Sequence, residues 1–335
     1  MRLWRRRSAS ANRRYQIPWY LIPAAIVASC TTSHQTLRVV TVPVADLRAE
    51  PGPPATAATH DPFQETQLLY GERVRVIRTE GPWAFVEAIE QPEYTHHRRW
   101  QGYPGWIPQD LLTSLSPRTG RPNAIITARW ATVWQDAHRT TTQGRFPMGT
   151  KAILTSTMGE WGSLALLNGT TGWIARRDVS LIQQLNGLSH EVRRQAILRA
   201  AEQFLGDPYF WGGRSPHLES ISAPVTGVDC SGLVNLAYRT AGLEVPRDAH
   251  EQYLRAKKIR TPKPADLVFL SAPDNPRQIV HVMLYAGEGW LIEGPGTGLT
   301  VRRITVAKRL GRPLEQLRAG ERIDRQTLSF GAYSP

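Results

Sequence analysis

The chain has 335 residues, two to three times the roughly 100 to 150 residues of a typical domain, so more than one domain is expected. Its composition of 41% hydrophobic, 21% charged and 8% aromatic residues excludes wholesale disorder and a bundle of membrane helices, and two cysteines, Cys30 and Cys230, exclude a disulfide-rich scaffold. The net charge of +13 points at first to a nucleic-acid partner.

The position of the charge argues otherwise. Residues 1–29 hold six arginines (Arg2, Arg5, Arg6, Arg7, Arg13 and Arg14) and no acid, and without them the chain carries 35 basic against 28 acidic residues, a net of +7. The arginines precede a mostly apolar stretch from Ile17 to Ser29 that contains Pro18 and Pro23. It is too short for a bilayer core, which needs about 20 residues, but suits the apolar region of a secretory signal. It ends Val27-Ala28-Ser29-Cys30, which resembles the lipobox of bacterial lipoproteins. That resemblance implies a signal over 1–29, cleavage before Cys30, a lipid on Cys30, and a membrane-anchored protein of the cell envelope, on the periplasmic face of a bacterial membrane. A lipidated Cys30 cannot pair with Cys230, and an unpaired thiol outside the cytoplasm needs a reason, of which catalysis is the leading one.

From Leu37 to Leu112 the chain reads as short β segments at Leu37 to Val44, Arg73 to Arg78, Trp83 to Ile89 and Gly105 to Ile107, with no helical period. A motif recurs. Gly81-Pro82-Trp83 leads to Gly105-Trp106-Ile107, and Gly159-Glu160-Trp161 leads to Gly172-Trp173-Ile174. The Trp-to-Trp spacings of 23 and 12 residues agree if the first copy carries an insertion, placed at Gln91 to Gln101 and read as a solvated polar loop. Two degenerate repeats of a small β-barrel follow, and the pattern resembles bacterial SH3-like domains over 37–113 and 122–182. At Ser189 a polar cap precedes apolar residues at helical spacing (Val192, Ala196, Ile197, Ala200, Ala201, Phe204), so a new domain begins there.

Three segments of this last domain carry chemistry. Asp229-Cys230-Ser231-Gly232 opens a helix with an apolar face of Leu233, Val234, Ala237 and Tyr238. A thiol at that N-terminus faces unpaired N–H groups and the positive end of the helix dipole, which favour the nucleophilic thiolate and can hold an oxyanion. A buried cysteine that simply packs is the alternative. His281 interrupts the apolar run Ile279 to Tyr285, and an imidazole is the base a thiol needs. Glu293 ends Trp290-Leu291-Ile292-Glu293. For Glu293 to lie directly opposite His281 in a hairpin, the loop must hold an odd number of residues, as in Ala286-Gly287-Glu288, and Glu293 can then orient the imidazole.

Five ordered motifs, Gly206-Asp207-Pro208-Tyr209-Phe210-Trp211-Gly212-Gly213, Asp229-Cys230-Ser231-Gly232, Pro246-Arg247-Asp248-Ala249-His250-Glu251-Gln252, Ala265-Asp266-Leu267-Val268-Phe269 and His281-Val282-Met283-Leu284-Tyr285, resemble the NlpC/P60 cysteine peptidases. The resemblance implies an α+β fold, a papain-like catalytic domain over 187–312 behind two SH3-like barrels, with 313–335 left as a tail. It implies hydrolysis of the γ-D-glutamyl to meso-diaminopimelate bond of peptidoglycan stem peptides with a free N-terminal L-alanine, by a monomer without cofactor or metal. Cys230 matches the nucleophile, His281 the base, and Glu293 the third polar position, where histidine is usual. Tyr209 matches a tyrosine beside the oxyanion. Asp248, Tyr103 and, from a weaker local match, Glu65 match groups around the substrate's amino end, with Asp229 and Ser231 beside the nucleophile. A buried ammonium needs carboxylates and a phenol in place of its water.

Three departures are visible. Ala265 replaces a turn glycine and implies an altered φ there, Ala249 replaces a frequent serine, and Glu293 brings an anion to His281. Two other functions remain open: a catalytically silent peptidoglycan-binding lipoprotein, and an amidase or transacylase with the same triad. No nucleic-acid motif accompanies the charge.

Overall fold

Strand Trp83–Glu93 shows why the first half of the chain is sheet: Ala84, Val86 and Ala88 point inward while Trp83, Phe85 and Glu87 alternate with them, the period-two pattern of a half-buried strand. The computed structural model describes residues 36–57, 60–115, 120–136, 138–219 and 224–333. The expected signal segment and Cys30 lie outside the described residues.

The first sheet comprises β1 (Thr36–Val40), β2 (Val44–Arg48), β3 (Gln64–Leu69), β4 (Arg73–Glu80), β5 (Trp83–Glu93), β6 (Gln101–Pro108) and β7 (Leu112–Ser114), in the order β3-β2-β6-β5-β4-β1-β7. The second comprises β8 (Ala124–Ile126), β9 (Trp130–Trp134), β10 (Thr142–Pro147), β11 (Lys151–Met158), β12 (Trp161–Ala165), β13 (Thr171–Ala175) and β14 (Val179–Leu181), in the order β10-β9-β13-β12-β11-β8-β14. Position for position the two orders are the same, so the internal repeat extends to topology. Gly81 and Gly159 make the equivalent turns, at φ of 53° and 56°, a conformation in which glycine carries no Cβ penalty. Among the described residues each sheet is an open path of seven strands; the pairing does not close either one into a barrel.

Two expectations for this half change. The run Leu37 to Val44 is divided between β1 and β2, and the polar run Gln64-Glu65-Thr66-Gln67 forms β3. Gln64, Thr66 and Gln67 are buried because every such side chain has a partner. Asp46 Oδ1 accepts from Gln64 and Gln67 at 3.0 Å each, and Gln67 also donates to Val225 O at 2.7 Å. Of the segment Gln91 to Gln101, expected as a polar loop, residues 94–100 are a mostly exposed turn, while Gln91–Glu93 and Gln101 extend the two strands of the β5–β6 ribbon, with Glu93 paired opposite Gln101.

The last part has α1 (Ile182–Asn186), α2 (His190–Glu202), α3 (Cys230–Arg239), α4 (Ala249–Arg255) and α5 (Val306–Leu310). Its sheet is built from β15 (Lys257–Lys258), β16 (Leu267–Ala272), β17 (Asn275–Gly287), β18 (Trp290–Glu293), β19 (Arg302–Thr305), β20 (Arg322–Ile323) and β21 (Gln326–Ala332), in the order β15-β21-β16-β17-β18-β19, with β20 on β21. Ser189 caps α2 by accepting the Val192 N–H. One face of the sheet, with Phe269, Val282, Leu284 and Ile292, packs on Ile197 and Phe204 of the α2 segment and Leu233, Val234 and Ala237 of α3. The other face, with Val268, Leu270, Met283 and Leu291, packs on α5, Leu314 and Leu317. The fold is α+β.

Of the residues expected as a tail, 313–335, the described ones, 313–333, belong to this layer instead. Val268 of β16 pairs with Phe330 of β21, and Leu328 and Phe330 are buried. Ala265 also differs from expectation. It keeps φ at +68°, the left-handed conformation of the glycine it replaces, which costs a residue with a Cβ about 1 to 2 kcal/mol.

One carboxylate ties the first sheet to α3 and to the segment ahead of it. Glu72, at the head of β4, is buried and takes Arg214 at 2.9 and 3.1 Å and Arg239 at 2.5 Å. Burial alone would raise its pKa, yet the two guanidinium groups hold it down at about 2. Arg239 continues to Glu244 at 3.1 Å, and Lys151 of the second sheet bridges Glu244 and Glu90 at 2.9 and 2.7 Å. Val44, Leu69 and Met148 share the apolar cluster of α2 and α3, so both small sheets are fixed against the helices.

Candidate active site

Cys230 stands at the first position of α3 because Asp229 caps the helix, its Oδ1 accepting the Gly232 N–H at 2.6 Å. Gly232 is required by packing: a Cβ there would meet the Gly213 carbonyl oxygen at 2.2 Å. The Gly-Gly segment thus lies directly against the first turn. Arg247 locks the arrangement, donating to both Asp229 oxygens at 3.0 and 2.8 Å and to Ser231 Oγ at 2.9 Å.

His281 on β17 faces Cys230 from the sheet, near enough for the sulfur to favour its charged form. Its Nε2 lies 2.9 Å from Glu293 Oε2, which leaves Nδ1 for the thiol. Burial draws the imidazole down, but Cys230 and then Glu293 outweigh it and hold His281 at about 9. Glu293 is fully buried and is held at about 2 against that burial by His281, Arg309 and Arg302. Arg302 donates to it at 3.0 and 2.7 Å and Arg309 at 3.0 Å. Neither arginine is apparent from motif spacing; the signal for Arg302 is its position opposite Glu293 in the β18–β19 ladder, where a buried carboxylate requires a cation.

The hairpin register differs from the one expected. Leu284 faces Ile292 and Tyr285 faces Leu291, with a register shift before Gly287 opposite Trp290. The turn residues are Glu288 and Gly289, at φ of 50° and 72°. A two-residue turn alone would place Glu293 on the far face; Ala286, bulged out of the ladder, restores the parity. Glu293 and His281 therefore meet as diagonal neighbours rather than directly opposed.

Tyr209 is buried, and burial, Cys230 and Asp229 push its phenol well above its ordinary value. Beyond Arg247 the first sheet closes the site. Tyr103 Oη of β6 lies 2.9 Å from Asp248 Oδ2 and 3.2 Å from Glu65 Oε2, so its one proton serves one carboxylate at a time. Asp248 precedes α4 without capping it. Packing pushes its carboxyl up, Arg247 pulls it down, and Glu251 and Asp229 raise it again, to about 7. Asp229 and Ser231 sit beside the nucleophile, but their polar atoms are spent on Arg247 and the helix cap. Cavities of about 610 and 990 Å³ lie elsewhere, and none of these residues lines them.

His96, at the ribbon tip, sits beside this cluster and was not singled out by the sequence. Its Nδ1 lies 2.9 Å from Glu93, its Nε2 3.6 Å from Glu65, and its ring stands edge-on to Tyr103 at 5.2 Å. The Glu65 and Glu93 carboxylates hold it at about 10 against the effect of burial.

Residues 206–310 match the NlpC/P60 family. The chain is 27% identical to a γ-D-glutamyl-L-lysine dipeptidyl-peptidase of Bacillus cereus (strain ATCC 10987 / NRS 248) over 69% of this chain and 67% of the relative. It is 27% identical to the protein of the same name from Bacillus subtilis (strain 168), over 73% of this chain and 76% of the relative. A solved NlpC/P60 family protein from Bacillus cereus ATCC 10987 superposes with a TM-score of 0.69 at 22% identity, covering 90% of this chain and all of that one, a likeness of fold. The chain thus carries an NlpC/P60 domain and is homologous to the γ-D-glutamyl-L-lysine dipeptidyl-peptidases.

Proposed function

We propose that this protein is a cysteine peptidase that cleaves the γ-D-glutamyl to diaminopimelate bond of peptidoglycan stem peptides bearing a free N-terminal L-alanine. The observation that carries this reading is that Arg247 links the first turn of α3, where Cys230 stands with His281 and Glu293, to the Tyr103, Glu65 and Asp248 cluster. His281 Nδ1 takes the thiol proton, and Sγ attacks the γ-carbonyl carbon. The first-turn N–H groups ahead of Gly232, with Tyr209 beside them, hold the oxyanion. His281 returns the proton to the leaving amine, and a water then releases the acyl group. Glu293 fixes the imidazole by Nε2 and stabilises its charge. The alanine ammonium lies among Tyr103, Glu65 and Asp248, where a pair of carboxylates and a phenol can take the place of its water.

In this reading the two repeated sheets are SH3-like domains, the segment 1–29 is a lipoprotein signal, and Cys30 anchors the enzyme to the periplasmic face of a bacterial membrane. The deciding assay incubates wild type and Cys230→Ala with L-Ala-γ-D-Glu-meso-diaminopimelate and with its L-lysine counterpart. Wild type is expected to release L-Ala-D-Glu, and the variant to lose about 10³-fold or more. Equal turnover by Cys230→Ala would remove the thiol from the mechanism.

A further inference from the structure

The ribbon that carries His96 has no counterpart in the second sheet, where only residues 166–170 join β12 to β13. It is not a free projection. The Tyr94 and Thr95 N–H groups donate to Glu251 Oε1 at 3.3 and 3.0 Å, and the Arg255 guanidinium lies 3.9 Å from the Trp100 ring centroid. Glu251 and Arg255 both belong to α4, the helix that starts directly after Asp248. Ribbon tip and pocket carboxylate are therefore referenced to the same element.

We propose that His96 is a positioning residue of the amine pocket: its imidazolium clamps Glu65 beside Tyr103 and sets the pocket to accept a single ammonium. The proposal rests on the reading of Tyr103, Glu65 and Asp248 as that pocket. The geometry is specific. Glu65 Oε2 is the oxygen approached by both His96 Nε2 and Tyr103 Oη, so the two groups hold one and the same oxygen and leave Oε1 to the substrate. Glu93 Oε2 holds the opposite ring nitrogen at 2.9 Å and also accepts the His96 N–H at 3.0 Å, fixing the ring plane. The groups that face His96 are Glu65 from β3, Glu93 from β5 and Tyr103 from β6. Behind them stand His97 and Gln101 at the tip and Asp248 and Glu251 at α4. Between two carboxylates the imidazole stays protonated at neutral pH. This internal cation balances part of the charge of Glu65 and Glu93, and Arg247 lies 3.5 Å from Asp248, so the remaining carboxylate charge is left for an incoming ammonium.

The test compares steady-state kinetics of wild type, His96→Gln and His96→Lys on a free-amine stem peptide and on its N-acetylated form. His96→Gln keeps a hydrogen-bonding side chain but no charge, and is expected to raise KM for the free-amine peptide about tenfold with kcat unchanged. His96→Lys restores the cation and is expected to return KM to within about threefold of wild type. An unchanged KM in His96→Gln, or a Lys variant no better than the Gln variant, overturns the clamp. If wild type cleaves free and acetylated peptides alike, the amine-pocket reading itself fails, an outcome separate from the other two.

Discussion

The two small sheets share one strand order and the same turn glycines, yet only the first reaches the chemistry. Three positions account for the difference. Behind Gly71 and Gly149, which lead into the equivalent strands β4 and β11, the first copy has Glu72 and the second Thr150; Glu72 holds two arginines, whereas Thr150 Oγ1 is buried without a partner. Two residues before each Gly-Trp-Ile, the first copy has Tyr103 and the second Thr170; Tyr103 is buried in the cleft and Thr170 is exposed. Only the first copy carries the Gln91 to Gln101 insertion. A duplicated scaffold thus gains a role in a site through a few side chains and one insertion, while the framework stays constant.

The largest effect that tests this comparison is on stability. Glu72→Ala leaves Arg214 and Arg239 buried without their shared anion and is expected to cost about 3 to 5 kcal/mol, while Thr150→Val is expected to change stability by less than about 1 kcal/mol. Urea midpoints of the full chain measure both. The Glu72 contribution is present above pH 4.5, its ordinary value, and is lost as pH falls toward about 2. An equal loss in the two variants would erase the distinction between the copies.

Next comes a kinetic split. Tyr103→Phe is expected to raise KM for a free-amine peptide about tenfold with little change in kcat, and Thr170→Val to leave both unchanged. Glu293→Gln should do the opposite, lowering kcat about a hundredfold because the imidazolium loses its anion. A fall in kcat in Tyr103→Phe would place the first sheet in the chemical step rather than in binding.

The smallest effect is the pH profile. Asp248 has its pKa raised from 3.8 to about 7 by burial, so its carboxylate, and with it ammonium binding, is gained as pH rises through 7. His281 is raised from 6.5 to about 9, so the imidazolium paired with the thiolate is lost as pH rises through 9. A bell in kcat/KM between these limits is expected, with the acid limb shifted in Tyr103→Phe and the alkaline limb unmoved.

Local signals were legible and long-range ones were not. The Asp229 cap, the α3 apolar face and the α2 start follow from adjacent residues, and the Gly-Trp-Ile repeat anticipated the shared topology. The hairpin parity argument put Glu293 on the face of His281 but missed the register, because a bulge at Ala286 cannot be distinguished from a longer loop by counting residues. Strand β3 was hidden since its polar side chains find partners in Asp46, Gln91 and the segment around Val225, all distant in sequence. Thr327 to Phe330 is too short a run to announce a central strand, and Arg302 and Arg309 become partners of Glu293 only once β19 and α5 fold over it.

The central claim is that the first sheet completes a pocket for a free amine beside Cys230. It is tested most directly by the kcat/KM of wild type on L-Ala-γ-D-Glu-meso-diaminopimelate against the same peptide N-acetylated at alanine. The account predicts a preference of about a hundredfold or more for the free amine, since acetylation removes the cation that two carboxylates and a phenol are arranged to meet. Equal rates on the two peptides would contradict it.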